Sequence, residues 1–256
     1  ADRMVTDLIK TGEAVSGEMA FEHSMLSYDA LMEAALMGTW DMDVLEPGTE
    51  ERSFTVELGY EDWSPAQYLQ FMGMRVGAMS LAFPYGQVVT GSFNFAGKEA
   101  AQSTTSLVGT GTIADATTTD VVNGSDEVSN ILIDGGAPGV IIRSINLSLD
   151  NGLRPIEGIG AAGPSDQKAG RSMVTGSIEA YFDSITLYNA LLNNTAVALQ
   201  WTVGDGTNSQ TFLLPKVKFN DGNPDVSGVD TDVMLTMNFT ALFDSVEGTN
   251  LRITRA

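Results

Sequence analysis

Four times the chain writes Val-Ser/Thr-Gly and runs on in alternating apolar and polar residues. The copies are Val15-Ser16-Gly17, Val89-Thr90-Gly91, Val174-Thr175-Gly176 and Val226-Ser227-Gly228. Alternation with a period of two is the pattern of a half-buried strand, so each copy reads as a strand start. Two copies head longer segments that match each other. Val15-Ser16-Gly17-Glu18-Met19-Ala20-Phe21 leads to Tyr28-Asp29-Ala30-Leu31-Met32 and then Trp40, and Val174-Thr175-Gly176-Ser177-Ile178-Glu179-Ala180 leads to Tyr188-Asn189-Ala190-Leu191-Leu192 and then Trp201. The offset is 159 at the glycine, 160 at the tyrosine and 161 at the tryptophan. A nearly fixed offset predicts one strand–helix–strand unit used twice. The fold class that follows is mainly β, sandwich- or barrel-like, with one or two short flanking helices.

The strands have two chemically distinct faces. Val15, Gly17, Met19 and Phe21 oppose Ser16, Glu18, Ala20 and Glu22; Val89, Gly91, Phe93 and Phe95 oppose Thr90, Ser92 and Asn94; Val174, Gly176, Ile178, Ala180 and Phe182 oppose Thr175, Ser177, Glu179 and Asp183. A glycine inside a strand marks either a bulge or close approach of another group, or a plain turn nearby. Further strands are expected at Phe54–Leu58, Ala78–Phe83, Val140–Leu149, Ala196–Val203, Gln210–Phe219 and Val229–Phe243. Tyr28–Met37 carries a helical stripe stopped by Gly38, and Leu187–Leu192 is its counterpart. Ser64-Pro65-Ala66-Gln67 reads as a helix N-terminus, with the helix ending near Met72. Asp150-Asn151-Gly152 and Asp205-Gly206 read as turns. Ala100 to Pro138 is dense in Ser, Thr, Gly, Ala and Asp, and reads as an extended loop or arm. With no clean linker, residues 1–256 form a single domain with duplicated units at about 10–99 and 140–256.

Composition narrows the chemistry. A chain of 256 residues, 43% hydrophobic, buries a sizeable core. It has no cysteine and one histidine, which excludes disulfides, thiol catalysis and multi-histidine zinc sites. No apolar run reaches membrane-spanning length, so no membrane insertion is expected. The net charge is −20, from 33 acids and 13 bases, and residues 1–63 hold 15 of the acids against 3 bases. Such a field repels nucleic acid phosphates. No catalytic, cofactor-binding or metal site is expected. His23 and Glu22 are neighbours on a strand and point to opposite faces, so His23 reads as a surface or edge residue. Asp221-Gly222-Asn223-Pro224-Asp225 with Asp230 and Asp232 fails as a calcium loop, because its sixth residue is Val226 and not glycine. Gly109-Thr110-Gly111 and Gly158-Ile159-Gly160 lack the lysine or third glycine of nucleotide loops.

Several ordered motifs carry a resemblance. They are Val56-Glu57-Leu58, Tyr68-Leu69-Gln70-Phe71, Met74-Arg75-Val76, Val88 to Lys98, Ile145 to Pro155, Gly170-Arg171, Val174-Thr175-Gly176 and Leu187 to Leu191, with Asp2-Arg3 and Gly38-Thr39-Trp40 in the opening segment. Their order resembles major tail tube proteins of long, non-contractile-tailed bacteriophages (siphophages). The resemblance implies a β-sandwich or barrel-like tail tube fold, located in the virion tail and in the host cytoplasm during assembly. It implies no enzymatic activity and no cofactor. It implies self-association into stacked rings, hexameric or trimeric with two tube units per chain, with the hexamer ranked first. Other tail proteins would cap the tube, and phage DNA would pass through without tight binding. In similar proteins a segment precedes the equivalent of Ala1. Glu18, Glu22, Glu179 and Asp183 are the candidate lumen-facing carboxylates, the tube exterior being the other placement. The alternative readings are a monomeric β-sandwich that binds a ligand or glycan, such as a tail adhesin, and a hydrolase using an acidic pair alone.

Overall fold

A computed structural model describes residues 7–109, 111, 113–226 and 228–256. Asp2, Arg3, Thr110 and Ser227, named above, lie outside the described residues. The elements are β1 (Val15–Glu22), α1 (Asp29–Leu36), β2 (Val44–Leu45), β3 (Phe54–Tyr60), β4 (Gln67–Pro84), β5 (Thr90–Gly97), β6 (Glu99–Ser103), β7 (Val128–Ile133) and β8 (Ile142–Asp150). They continue with β9 (Arg154–Ile156), β10 (Asp166–Lys168), β11 (Met173–Tyr181), α2 (Thr186–Leu192), β12 (Val197–Gly204), β13 (Ser209–Asp225), β14 (Met234–Ala241) and β15 (Arg252–Arg255). One large antiparallel sheet runs β1-β5-β4-β8-β11-β14-β13-β12-β7, with β15, β2, β3 and β6 attached beside it.

The fold is mainly β, and its two halves repeat in register. In the first, Phe54 pairs Met74 and Val56 pairs Phe71; in the second, Val197 pairs Val217 and Leu199 pairs Leu214. Every position is displaced by 143, and the same irregularity falls between the two pairs in each half. Further along β4, Val76 pairs Phe95 and Ala78 pairs Asn94 across a bulge at Gly77. In β13, Phe219 pairs Phe239 and Asp221 pairs Asn238 across a bulge at Asn220. β1 lies beside β5 as β11 lies beside β14: Gly17 opposes Phe95, and Gly176 opposes Phe239. β6 pairs the first part of β4, and β15 the first part of β13. β8 is inserted between the halves, pairing β4 on one side and β11 on the other.

Both long strands change partners midway. Residues 67–74 of β4 lie between β3 and β6, whereas residues 75–84 lie between β5 and β8. A bulge bends its strand and increases the local twist, which lets one strand serve two layers. The core lies between those layers: Phe54 meets Phe95 edge-on, and Phe83 meets Trp201 and Phe212 at 5.5 Å between ring centroids. α1 packs on β4 and α2 on β13.

Several expectations need correction. Residues 64–72 form no helix; Gln67–Met72 is strand, because β3 and β6 supply backbone partners on both sides. Tertiary pairing here overrides a local capping signal. Trp40 is not the counterpart of Trp201: it lies in the loop after α1, beneath the Arg255 guanidinium at 4.4 Å, and the register makes Leu58 the counterpart. His23 is fully buried rather than on the surface. The fourth copy starts no strand, since Val226 and Gly228 follow the end of β13. β14 covers only part of Val229–Phe243. Within Ala100–Pro138, β6, the bridges Ser24–Val121 and Val88–Asn123, and β7 are all paired, so the longest stretch without strand pairing among the described residues falls within 104–120. The remaining expected strands, both helices and both turns are present.

Candidate lumen face and assembly surfaces

Seven neighbouring strands, from β1 through β5, β4, β8, β11 and β14 to β13, share one polar face. Alternation puts it opposite the core, and register lines its residues into rows across the sheet. One row is Glu22, Thr90, Ala82, Asn146, Ser177, Asn238 and Asp221; another contains Ala20, Ser92, Ser80, Ser148, Thr175 and Thr240. These side chains satisfy one another. Ser80 Oγ lies 2.9 Å from Ser92 Oγ, Asn146 Nδ2 donates to Ser177 Oγ at 3.1 Å, and Asn238 Nδ2 donates to Asp221 Oδ1 at 2.7 Å. The surface is short, hydroxyl- and amide-rich, and studded with carboxylates. Chemically it holds water well and offers phosphate little to grip.

Of the predicted carboxylates, Glu18 and Glu22 stand on β1 opposite Asn94 and Thr90. Glu179 stands on β11 opposite Ser144 and Thr236, with Arg143 Nη1 at 3.5 Å. The sheet brings these three to the same face. Asp183 lies past the end of β11, in the turn to α2. Asp150, Asp221 and Asp225 share the face and were missed from the sequence; the alternation of β8 and β13 was the available signal. Lys218, opposite Thr240, and Arg143, beside Glu179, are bases among them.

Most of the acid excess in residues 1–63 sits elsewhere. Asp43 accepts from Arg255 Nε at 2.7 Å, and Asp29 pairs with the same guanidinium. Burial pushes the Asp29 carboxyl above its usual range, against the pull of Arg255. Glu46 accepts from Arg252 at 2.6 Å, and Glu51 from Arg75 at 2.8 Å. Arg252 and Arg255 belong to β15, which pairs β2, so these charges tie the end of the second half to the first. Glu57 holds the root of the arm: it accepts from Ser106 Oγ at 2.6 Å and from the Leu107 N–H at 2.8 Å. Those bonds hold its carboxyl below the usual range.

His23 makes a second tie between the halves. Its N–H donates to the Val89 carbonyl, its carbonyl accepts from Val122, and Nε2 donates to Gln210 Oε1 of β13 at 3.1 Å. Nδ1 is buried without a partner, and burial lowers the imidazole to about 4. A neutral, enclosed imidazole with no acid beside it is a packing element. No group of three or more His, Asp or Glu side chains converges as a metal site among the described residues. No described helix is long and apolar enough to cross a membrane.

The surfaces are those of a structural subunit: a polar sheet face, layered hairpins and an open β1 edge. A family model described as phage tail tube protein matches residues 1–241. No curated relative matches the chain. With nearly its whole length matched, the chain belongs to the phage tail tube proteins, a structural family of the virion tail and not an enzyme family.

Proposed function

We propose that three chains close into a ring with six quasi-equivalent units, that the rings stack into the tail tube, and that the polar sheet face lines its channel. One observation carries this reading: the two halves of the chain repeat pairing for pairing, bulge for bulge, at an offset of 143 along β3–β4 and β12–β13. Two such units per chain make six from three chains by cyclic closure. Six chains, the arrangement ranked first from the sequence, would place twelve units around the channel.

Strand arithmetic supports the smaller ring. Seven strands at about 4.8 Å spacing span about 34 Å, so three chains give a backbone circumference of about 100 Å and a diameter of about 32 Å. A tilt of about 40° widens this to about 42 Å. Six chains would double both figures. The smaller bore, lined with side chains, passes one DNA duplex; the larger leaves it loose.

The choice of inner face follows from cover. α1, α2 and the hairpins β3–β4 and β12–β13 lie over the apolar face, which leaves the Ser/Thr/Asn face for the channel. Glu18, Glu22 and Glu179 would stand in the lumen, with Asp183 at its rim, and repel the phosphates of a passing genome. Subunits would fold in the host cytoplasm and meet other tail proteins at the tube ends. Reversing Glu18, Glu22 and Glu179 to lysine tests the face. The expected result is intact tubes with impaired DNA delivery; normal delivery from such particles would place these carboxylates outside the channel.

A further inference from the structure

The internal repeat contains a contact that one half makes and the other lacks. In the second half, the β12–β13 hairpin reaches over the first half. Trp201 and Phe212 pack edge-on against Phe83 near the end of β4, and Gln210 accepts from His23 in the turn before α1. The outer face of that hairpin is thereby sealed: Trp201 is 1% exposed and Val203 0%.

The β3–β4 hairpin has the same length and register, so Leu58 stands where Trp201 does, Tyr60 where Val203 does, and Leu69 where Phe212 does. Yet Leu58 is 48% exposed and Tyr60 42% exposed. Beyond them Trp63 stacks on Tyr60 at 5.3 Å and is also exposed. This hairpin presents an apolar face that its twin keeps dry. The matching seat is vacant too. Carrying Phe83 forward by 143 gives Val226, just past β13; Phe83 is 4% exposed and Val226 63%. The turn before α2, counterpart of the turn that holds His23, carries exposed Ile185.

We propose that the Leu58–Tyr60–Leu69 face of one chain seats on Val226 and Ile185 of a second copy, reproducing between chains the contact that β12–β13 makes within one. The proposal rests on the ring reading above and supplies its joint. An exposed apolar hairpin and an exposed apolar seat on opposite halves make a heterologous contact, the kind that closes rings. Each unit then sees the same neighbours around the ring, alternately covalent and non-covalent. The occupant is a copy of this chain because the chain already shows the geometry with which such a face is covered.

The chain has no cysteine, so a pair of introduced thiols reports without background. Leu58→Cys with Val226→Cys, assembled and treated with a short bismaleimide, should give covalent dimers and trimers on denaturing gels. Either single variant should remain monomeric there. Leu58→Asp, on an already exposed position, should leave the free subunit folded by circular dichroism and abolish assembly. Three-chain rings that form without cross-linking, or that tolerate Leu58→Asp, would overturn this joint and leave the three-chain ring standing. Rings of six chains by native mass spectrometry would overturn the ring reading itself.

Discussion

The two halves share registers and bulges and differ in what covers them. Trp201 sits sealed beneath Phe83 while Leu58, its counterpart, faces solvent. Gly176 is crowded, since an added Cβ would lie 2.1 Å from the Asn146 carbonyl oxygen and 2.5 Å from Phe239, whereas Gly17 has nothing within 4 Å. The difference follows from β8. It packs the second half against the first, so the second half has a neighbour on its β11 side, and the edge of β1 beside Gly17 has none among the described residues. Equivalent backbone with unequal cover is what the proposed ring calls for, with a second chain as the missing neighbour.

Substitutions at matched positions sharpen that contrast. In the unassembled subunit, Trp201→Ala should cost about 3–5 kcal/mol by urea denaturation, because it empties a buried ring site. Leu58→Ala should fall within about 0.5 kcal/mol, as exposed positions do. Equal losses would mean that the two hairpins are covered alike.

His23, the buried tie between halves, should make the subunit acid-sensitive. Its folded pKa of about 4 lies below the free value of 6.5, so between the two the unfolded chain holds the extra proton. Stability is then full above about pH 6.5 and declines as pH falls toward 4, by about 3 kcal/mol in all. Denaturation midpoints across that range should flatten in His23→Gln; an unchanged slope would remove His23 from the account.

The smallest contrast is at the paired glycines. Gly176→Ala should destabilise by about 1–3 kcal/mol through overpacking, and Gly17→Ala should stay within about 0.5 kcal/mol. Thermal unfolding of the two variants gives the comparison directly. A tolerant Gly176 would indicate that β11 and β8 can separate.

Alternation was enough to read β1, β5 and β11 with their faces, because their polar and apolar residues are cleanly segregated. The repeat itself was legible only where residue identities persist, as in Val-Ser/Thr-Gly. Along β3–β4 and β12–β13 it survives as pairing geometry alone: Val56 and Leu58 against Leu199 and Trp201 share apolarity and little else. That is why Trp201 matched Trp40 by identity and Leu58 by structure. The β4 start was misread because proline and glutamine after serine mimic a helix cap, and strand partners distant in sequence overruled them. His23 was misplaced for a related reason: its cover comes from Val122 and Gln210, far along the chain. Of the candidate lumen carboxylates, those on strands followed the alternation, and Asp183 fell beyond the strand end that no pattern marked.

The most direct measurement is the number of chains per ring in assembled tubes, by cryo-electron microscopy with chains traced through the arm. Three chains per ring, arranged as six similar units with the Ser/Thr/Asn sheet face inward, is the predicted result. Six chains per ring, or a sheet face turned to the exterior, would contradict it.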